Sequence, residues 1–331
     1  MKLQGSHIYN YKNEYRSFLY NVKSRVNLPI HFSSLGNKSE PSSLSLCLDN
    51  LFVGDVRAYS IIIKAKYRRV GKVLKWILGV VIVIYVLVCV VLYINQEKVL
   101  FLEEPLSSDH IYRKGKEELV NVEDGVQISC YRNRVPNPKG VILYFHGNKG
   151  NNRRCIRQSE MMEGNKYDIY MPDYRGFGKS QGELESDDQF YADAQIVYDI
   201  MKKEYGEENI VLVGYSMGSG PATYLAGTNK PRDLFLISPF KSIVDMKNRY
   251  IPFVPSFLIK YQFPNWKYLE QTTCPINIFY TPDDSVVLPE SSLALAEHTD
   301  HEQLVRIDGT SHRGMIFRPE FRRLLQEQLA D

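Results

Sequence analysis

The chain predicts an α/β fold, a mostly parallel sheet with helices on both faces, preceded by one membrane-spanning helix. Three observations carry this prediction. From about residue 117 to the end, strand-like and helix-like stretches alternate, the signature of strand–helix–strand crossovers. The central strand candidates, such as Gly140–Phe145 and Ile210–Val213, are continuous apolar runs, as expected of strands covered on both faces. Ahead of them, Trp76–Ile94 carries no charge over nineteen residues.

Residues 1–63 mix Tyr, Asn, Ser and Lys without sustained periodicity, and Pro41-Ser42-Ser43 reads as a loop. This tail is expected to lack fixed structure. Residues 64–75 form a basic juxtamembrane segment with Lys64, Lys66, Arg68, Arg69, Lys72 and Lys75. The transmembrane helix is placed at 76–95; its nineteen uncharged residues cover about 28 Å at a helical rise, close to the hydrocarbon thickness of a bilayer. Trp76 and Tyr93 sit at its ends, where amphipathic rings prefer the interface. A core helix rarely stays apolar on every face for five turns, and Tyr93-Ile94-Asn95-Gln96-Glu97 offers no small-residue cleavage site. Residues 1–75 hold 13 Lys/Arg against 4 Asp/Glu, and residues 96–331 hold 28 against 34. The basic excess therefore adjoins the span instead of the folded domain, which points to a membrane and excludes a nucleic-acid footprint. The basic flank stays in the cytoplasm, so the C-terminal domain is expected on the periplasmic or extracytoplasmic side.

A linker (96–116) then leads into the main domain (117–331). Its strand candidates are Val126–Tyr131, Gly140–Phe145, Asp168–Met171, Ile210–Val213, Leu234–Ile237, Ile276–Tyr280 and Gln303–Ile307. Helices are expected at 152–164, 187–205 (with a capping start at Ser186-Asp187-Asp188), 217–227, 289–298 and 315–329. Residues 239–272 break the rhythm with Tyr250, Phe253, Phe257, Tyr261, Phe263 and Trp266 among several prolines, which fits a small lid inserted after a sheet strand. The five cysteines match no zinc or redox spacing, and buried free thiols are expected.

Four segments carry chemistry. Ile210–Val213 runs into Gly214-Tyr215-Ser216-Met217-Gly218 and then a helix, a turn that lifts a serine hydroxyl out of a sheet edge. His146-Gly147-Asn148 opens a glycine-containing loop after a strand, Asp283-Asp284 follows another, and His312 follows the last. The order Ser…Asp…His, each beyond a strand's carboxyl end, suits nucleophilic catalysis. A serine hydroxyl is a poor nucleophile until a histidine takes its proton, and a carboxylate on the far imidazole nitrogen fixes the tautomer.

These segments, with Pro172-Asp173-Tyr174-Arg175-Gly176-Phe177-Gly178-Lys179-Ser180, resemble the α/β-hydrolase superfamily over residues 117–331, in its Bem46-like or serine aminopeptidase S33-type branch. That branch has single membrane anchors, short lids and lysophospholipase-like members. The resemblance implies Ser216 as nucleophile, His312 as base and Asp284, two residues before Val286-Val287, as orienting acid. It implies the backbone N–H groups of Asn148 and Met217 as the oxyanion hole, and it makes His146, Asp173 and Arg175 structural. Asp283 becomes a turn residue; His298 and His301 are expected to be exposed.

The expected function is that of a membrane-anchored serine hydrolase cleaving an ester, thioester or amide through an acyl-enzyme, with a small-molecule or lipid-like acyl substrate. An S33-type aminopeptidase and a non-catalytic membrane-tethered binding module are the alternatives. No cofactor, metal or nucleic-acid partner is implied. The lid aromatics are candidates for lining an acyl pocket, and Lys241, Lys247, Arg249, Lys260 and Lys267 for attracting an anionic head group or simply being solvated.

Overall fold

Helix α1, Ser43–Ile94, opens the computed structural model, which describes residues 43–300 and 302–330, with side chains from Ser60 onward. The expectation of an unstructured tail falls partly on residues 1–42, which lie outside the described residues. From Ser43 the chain is helical instead, and no proline interrupts it between Pro41 and Pro105. Within α1, Ser60–Ile94 is long and apolar enough to cross a membrane. Contacts divide the chain after Leu78, inside this helix, and all elements below belong to the second unit, Gly79–Asp331.

Eight strands form one sheet: β1 Lys116–Glu123, β2 Val126–Asn133, β3 Gly140–Phe145, β4 Tyr167–Pro172, β5 Ile210–Tyr215, β6 Asp233–Ile237, β7 Ile276–Tyr280 and β8 Glu302–Arg306. Their spatial order is β1-β2-β4-β3-β5-β6-β7-β8. β1 and β2 form an antiparallel hairpin, β2 runs antiparallel to β4, and every later pairing is parallel. Strand β1 was absent from the sequence-based set; its charged residues hide the alternation, although Asp124-Gly125 carries the hairpin signal and Gly125 takes φ 76°.

The helices are α2 Gln96–Leu100, α3 Asn152–Ser159, α4 Asp187–Tyr205, α5 Ser219–Thr228, α6 Ile243–Tyr250, α7 Asn265–Leu269, α8 Pro289–Ala296 and α9 Pro319–Gln328. Ser186 caps α4 by accepting from Gln189 N–H. Two expected helices are shorter than their apolar pattern. α3 gives way to a 3-10 turn over Glu160–Met162, and α9 starts at Pro319, which suits a first helical turn. The lid segment holds α6, a 3-10 turn at Ser256–Leu258, and α7.

Successive residues of the central strands feed two apolar layers. Val141, Leu143 and Phe145 join Val197 of α4 and Leu225 of α5, while Ile142 and Tyr144 join Phe321 and Leu325 of α9. Each fully buried side chain of this kind stabilises by about 1.5–3 kcal/mol, so the sheet is a rigid platform whose β3, β5 and β7 ends share one edge. The linker does more than connect: Leu102–Glu103 pairs in parallel with Lys149–Gly150, and Leu102 N–H donates to Asn148 O at 2.8 Å. Cys89, Cys130, Cys155 and Cys274 are buried free thiols, as expected.

Candidate active site

Strand β5 delivers Ser216 through a tight elbow. Ser216 takes φ 53°, a left-handed conformation that costs a non-glycine residue energy unless its surroundings enforce it. The surroundings do so through close approach. A Cβ on Gly214 would sit 2.7 Å from Gly218 O and 2.8 Å from Ala222 Cβ, and one on Gly218 would overlap Phe145 O. Ser219 Oγ donates to Ser216 O at 2.6 Å, and Asn265 of the lid donates to Ser219 Oγ at 3.1 Å.

Around the hydroxyl, residues from three strand ends converge. His312 Nε2 lies 3.0 Å from Ser216 Oγ, and His312 Nδ1 lies 2.7 Å from Asp284 Oδ2. The other carboxylate oxygen of Asp284 accepts from Val286 N–H at 2.9 Å and Val287 N–H at 2.8 Å. Since a carboxylate only accepts, Nδ1 carries the proton and the Nε2 lone pair faces Ser216. Ser216, Asp284 and His312 are all buried, whereas Asp283 is exposed. Tyr215 is a positioning residue that the sequence reading missed. Its hydroxyl donates to His312 O at 3.0 Å, and its ring stacks on the imidazole at a centroid distance of 5.4 Å. Its place next to Ser216 was the available signal.

His146 stays away from the serine. Its Nε2 lies 3.3 Å from Asp173 Oδ1, an ion-pair distance without hydrogen-bond alignment, and its carbonyl accepts from Tyr174 OH at 2.6 Å. Burial pushes the Asp173 carboxyl up, against the opposing pull of His146 and of the Asn152 N–H that it accepts at 2.7 Å. Arg175 grips Asp193 with two bonds, at 2.7 and 2.9 Å. His298 meets Glu270 at 2.7 Å, and His301 lies outside the described residues.

Two cavities meet at Ser216. One, of 380 Å³, is apolar. Cys89, Leu92 and Tyr93 of α1 wall it on one side, Met246, Val254 and Phe263 of the lid on the other, and Asn148, Ser216 and Met217 line it too. The other, of 530 Å³, is lined by Asn148, Ser216 and His312 together with Lys149, Arg153, Arg157 and Arg313. Both volumes fall in the range of ligand sites. The five sequence-derived site residues are thus brought together: three in the hydrogen-bonded array, and Asn148 and Met217 beside it.

The sheet order, the elbow after β5 and the overall likeness to solved structures decide the fold. Similar folds include the esterase Est1E from Butyrivibrio proteoclasticus (TM-score 0.55, 17% identity, 66% of this chain and 100% of that one). The Pyrococcus furiosus esterase Pf2001 is another (TM-score 0.54, 19% identity, 70% and 97%). The chain has the α/β-hydrolase fold. Within this hydrolase, residues 136–268 match the family model described as serine aminopeptidase, S33. The chain is also 26% identical over 270 residues to the lysophosphatidylserine lipase ABHD12 of Danio rerio, covering 66% of this chain and 70% of that protein. The Xenopus tropicalis and Mus musculus proteins of the same name are 28% identical over 185 and 179 residues, covering 49% and 47% of this chain, and under half of their own lengths, 47% and 44%. The S33 match, the lipase relatives and the fold mark this chain as a serine hydrolase, and the apolar α1 supports its association with a membrane.

Proposed function

We propose that this hydrolase cleaves the ester of a single-chain acyl lipid, with Ser216 as nucleophile, His312 as general base and Asp284 as its orienting acid. The observation that carries the reading is the apolar cavity running from Ser216 to the end of the anchor helix. An acyl chain lying there keeps its carbonyl at Ser216 and its methyl end toward α1. Ser216 Oγ adds to the carbonyl carbon while its proton passes to His312 Nε2. The backbone N–H groups of Asn148 and Met217 receive the oxyanion. Collapse breaks the carbon–oxygen bond, His312 returns the proton to the departing alkoxide, and water repeats the sequence on the acyl-enzyme to release a fatty acid. The names of the curated relatives, lysophosphatidylserine lipases, fit a monoacyl phospholipid as substrate.

An aminopeptidase needs a carboxylate to hold the substrate's terminal ammonium, and no Asp or Glu lines either cavity. The matched family description therefore fits the ancestry of this site better than its chemistry. The basic flank of residues 64–75 supports a cytoplasmic N-terminus and a catalytic domain on the extracytoplasmic side. Two assays test the reading. Purified full-length protein should hydrolyse a monooleoyl ester and leave aminoacyl amides untouched; the reverse preference would overturn it. Protease added to intact spheroplasts should digest the domain, and full protection would reverse the orientation.

A further inference from the structure

The second cavity is larger than the chemistry at Ser216 requires, and its charge is one-sided. On the reading above, the alcohol must leave on the side of His312, because His312 Nε2 hands it the proton. His312 lines the 530 Å³ cavity and not the apolar one. The leaving group's chamber is therefore the one lined by Lys149, Arg153, Arg154, Arg157 and Arg313, with no Asp or Glu in its lining. Arg154 reaches Glu104 at 3.4 Å; the other four have no ion pair among the described residues. Arg153 and Arg157 lie one turn apart on α3 and so share a face. The frame beneath them is fixed: Asn151 caps α3 and donates to Glu104 O at 2.6 Å, and Asn152 donates to Met171 O at 2.8 Å. This concentration of cations sits in a region where acids outnumber bases, 34 to 28 over residues 96–331.

We propose that this chamber binds the phosphate-bearing head group of the monoacyl substrate and selects for net negative charge. This rests on the hydrolase reading above and adds its head-group specificity. A guanidinium fork matches phosphate oxygens in pairs, and a cleft lined by one sign concentrates the opposite ion. A choline or ethanolamine ammonium, with no carboxylate of its own to offset it, would meet unpaired cations. A phosphoglycerol head group meets the arginines with its phosphate and the remaining polar lining, such as Gln158, with its hydroxyls.

The test holds the acyl chain constant. Full-length protein in neutral detergent is assayed on 1-oleoyl lysophosphatidylglycerol, 1-oleoyl lysophosphatidylcholine and 1-oleoylglycerol. The phosphoglycerol substrate should lead the choline one by about tenfold in kcat/KM. Arg153→Gln with Arg157→Gln should collapse that ratio toward unity, and the Arg→Lys pair should restore part of it. Both positions are exposed, so folding is not at stake. Equal rates in the parent, or a ratio that the double substitution does not move, would overturn the proposal. A second arm needs no turnover: calorimetric titration of the Ser216→Ala protein with glycerol 3-phosphate should show binding that the Gln pair weakens about tenfold. Binding without cleavage of any ester would keep the chamber and sink the hydrolase reading. Cleavage indifferent to head-group charge would do the opposite.

Discussion

On one side of Ser216 the walls are Leu92, Tyr93, Met246 and Phe263; on the other they include Arg153, Arg157, Arg313 and Gln158. The apolar side is assembled from the anchor helix and the lid, distant in sequence and tied together. Tyr85 OH donates to Phe253 O at 2.7 Å, Gln96 Nε2 to Leu258 O at 2.7 Å, and Lys260 Nζ pairs with Glu97 at 2.8 Å. The polar side comes from the loop after β3, from α3 along its length and from the turn that carries His312. The lid's own cations are largely committed to structure: Lys247 bonds Val254 O at 2.8 Å and Arg249 pairs with Asp245 at 2.9 Å. Counting lid lysines in the sequence therefore points toward the wrong side of the serine. The unpaired charge stands across the site, on the side where the proposed mechanism releases the alcohol.

The largest effect should come from Ser216→Ala, because Ser216 lines both cavities. Turnover of a short p-nitrophenyl ester and of an oleoyl lipid should fall alike, by about 10⁴-fold or more. Loss of only one activity would mean that the cavities serve different sites. Asp284→Asn should cost about 10⁴-fold in kcat by inverting the imidazole tautomer, while the exposed Asp283→Asn should stay within about twofold; steady-state kinetics of the pair decides between the adjacent acids. Leu92→Trp acts on the apolar side alone. If it bars two methylenes at about 0.8 kcal/mol each, the oleoyl-to-butyryl ratio of kcat/KM should drop about tenfold. An unchanged ratio would remove α1 from the acyl site.

The smallest effect concerns the tie between anchor and lid. Although burial opposes it, the bond from Lys260 holds the Glu97 carboxyl below its ordinary 4.5, and Glu97 in turn raises Lys260 above its ordinary 10.5. A depressed acid contributes stability above its unfolded value and loses it as pH falls through the folded one. A raised lysine contributes below 10.5 and loses it as pH climbs through its own folded value. The tie should thus be intact from about pH 5 to 10 and weaken on the acid side below 4.5. Both groups are about a third exposed, so Glu97→Gln should cost under about 1 kcal/mol in denaturant unfolding.

The candidate site was legible because each of its residues follows a strand end. Ser216 comes directly after an apolar run, Asp284 and His312 in the short loops beyond two others, and the fold sets those ends side by side. The walls were not legible. Leu92 and Met246 share a cavity across more than 150 positions, and nothing local to either sequence segment encodes that meeting. The pairing of Leu102–Glu103 with Lys149–Gly150 was hidden for the same reason: two-residue bridges leave no period. Strand β1 escaped through its charges, and Tyr215 because only the fold brings its hydroxyl to the carbonyl of a residue 97 positions away.

The central claim is that Ser216 is an activated nucleophile, and covalent labelling tests it most directly. Full-length protein treated with a fluorophosphonate and mapped by peptide mass should carry one adduct, on Ser216. That adduct should be absent from Ser216→Ala and formed far more slowly in Asp284→Asn. No adduct, or an adduct on another serine that persists in Ser216→Ala, would contradict the account.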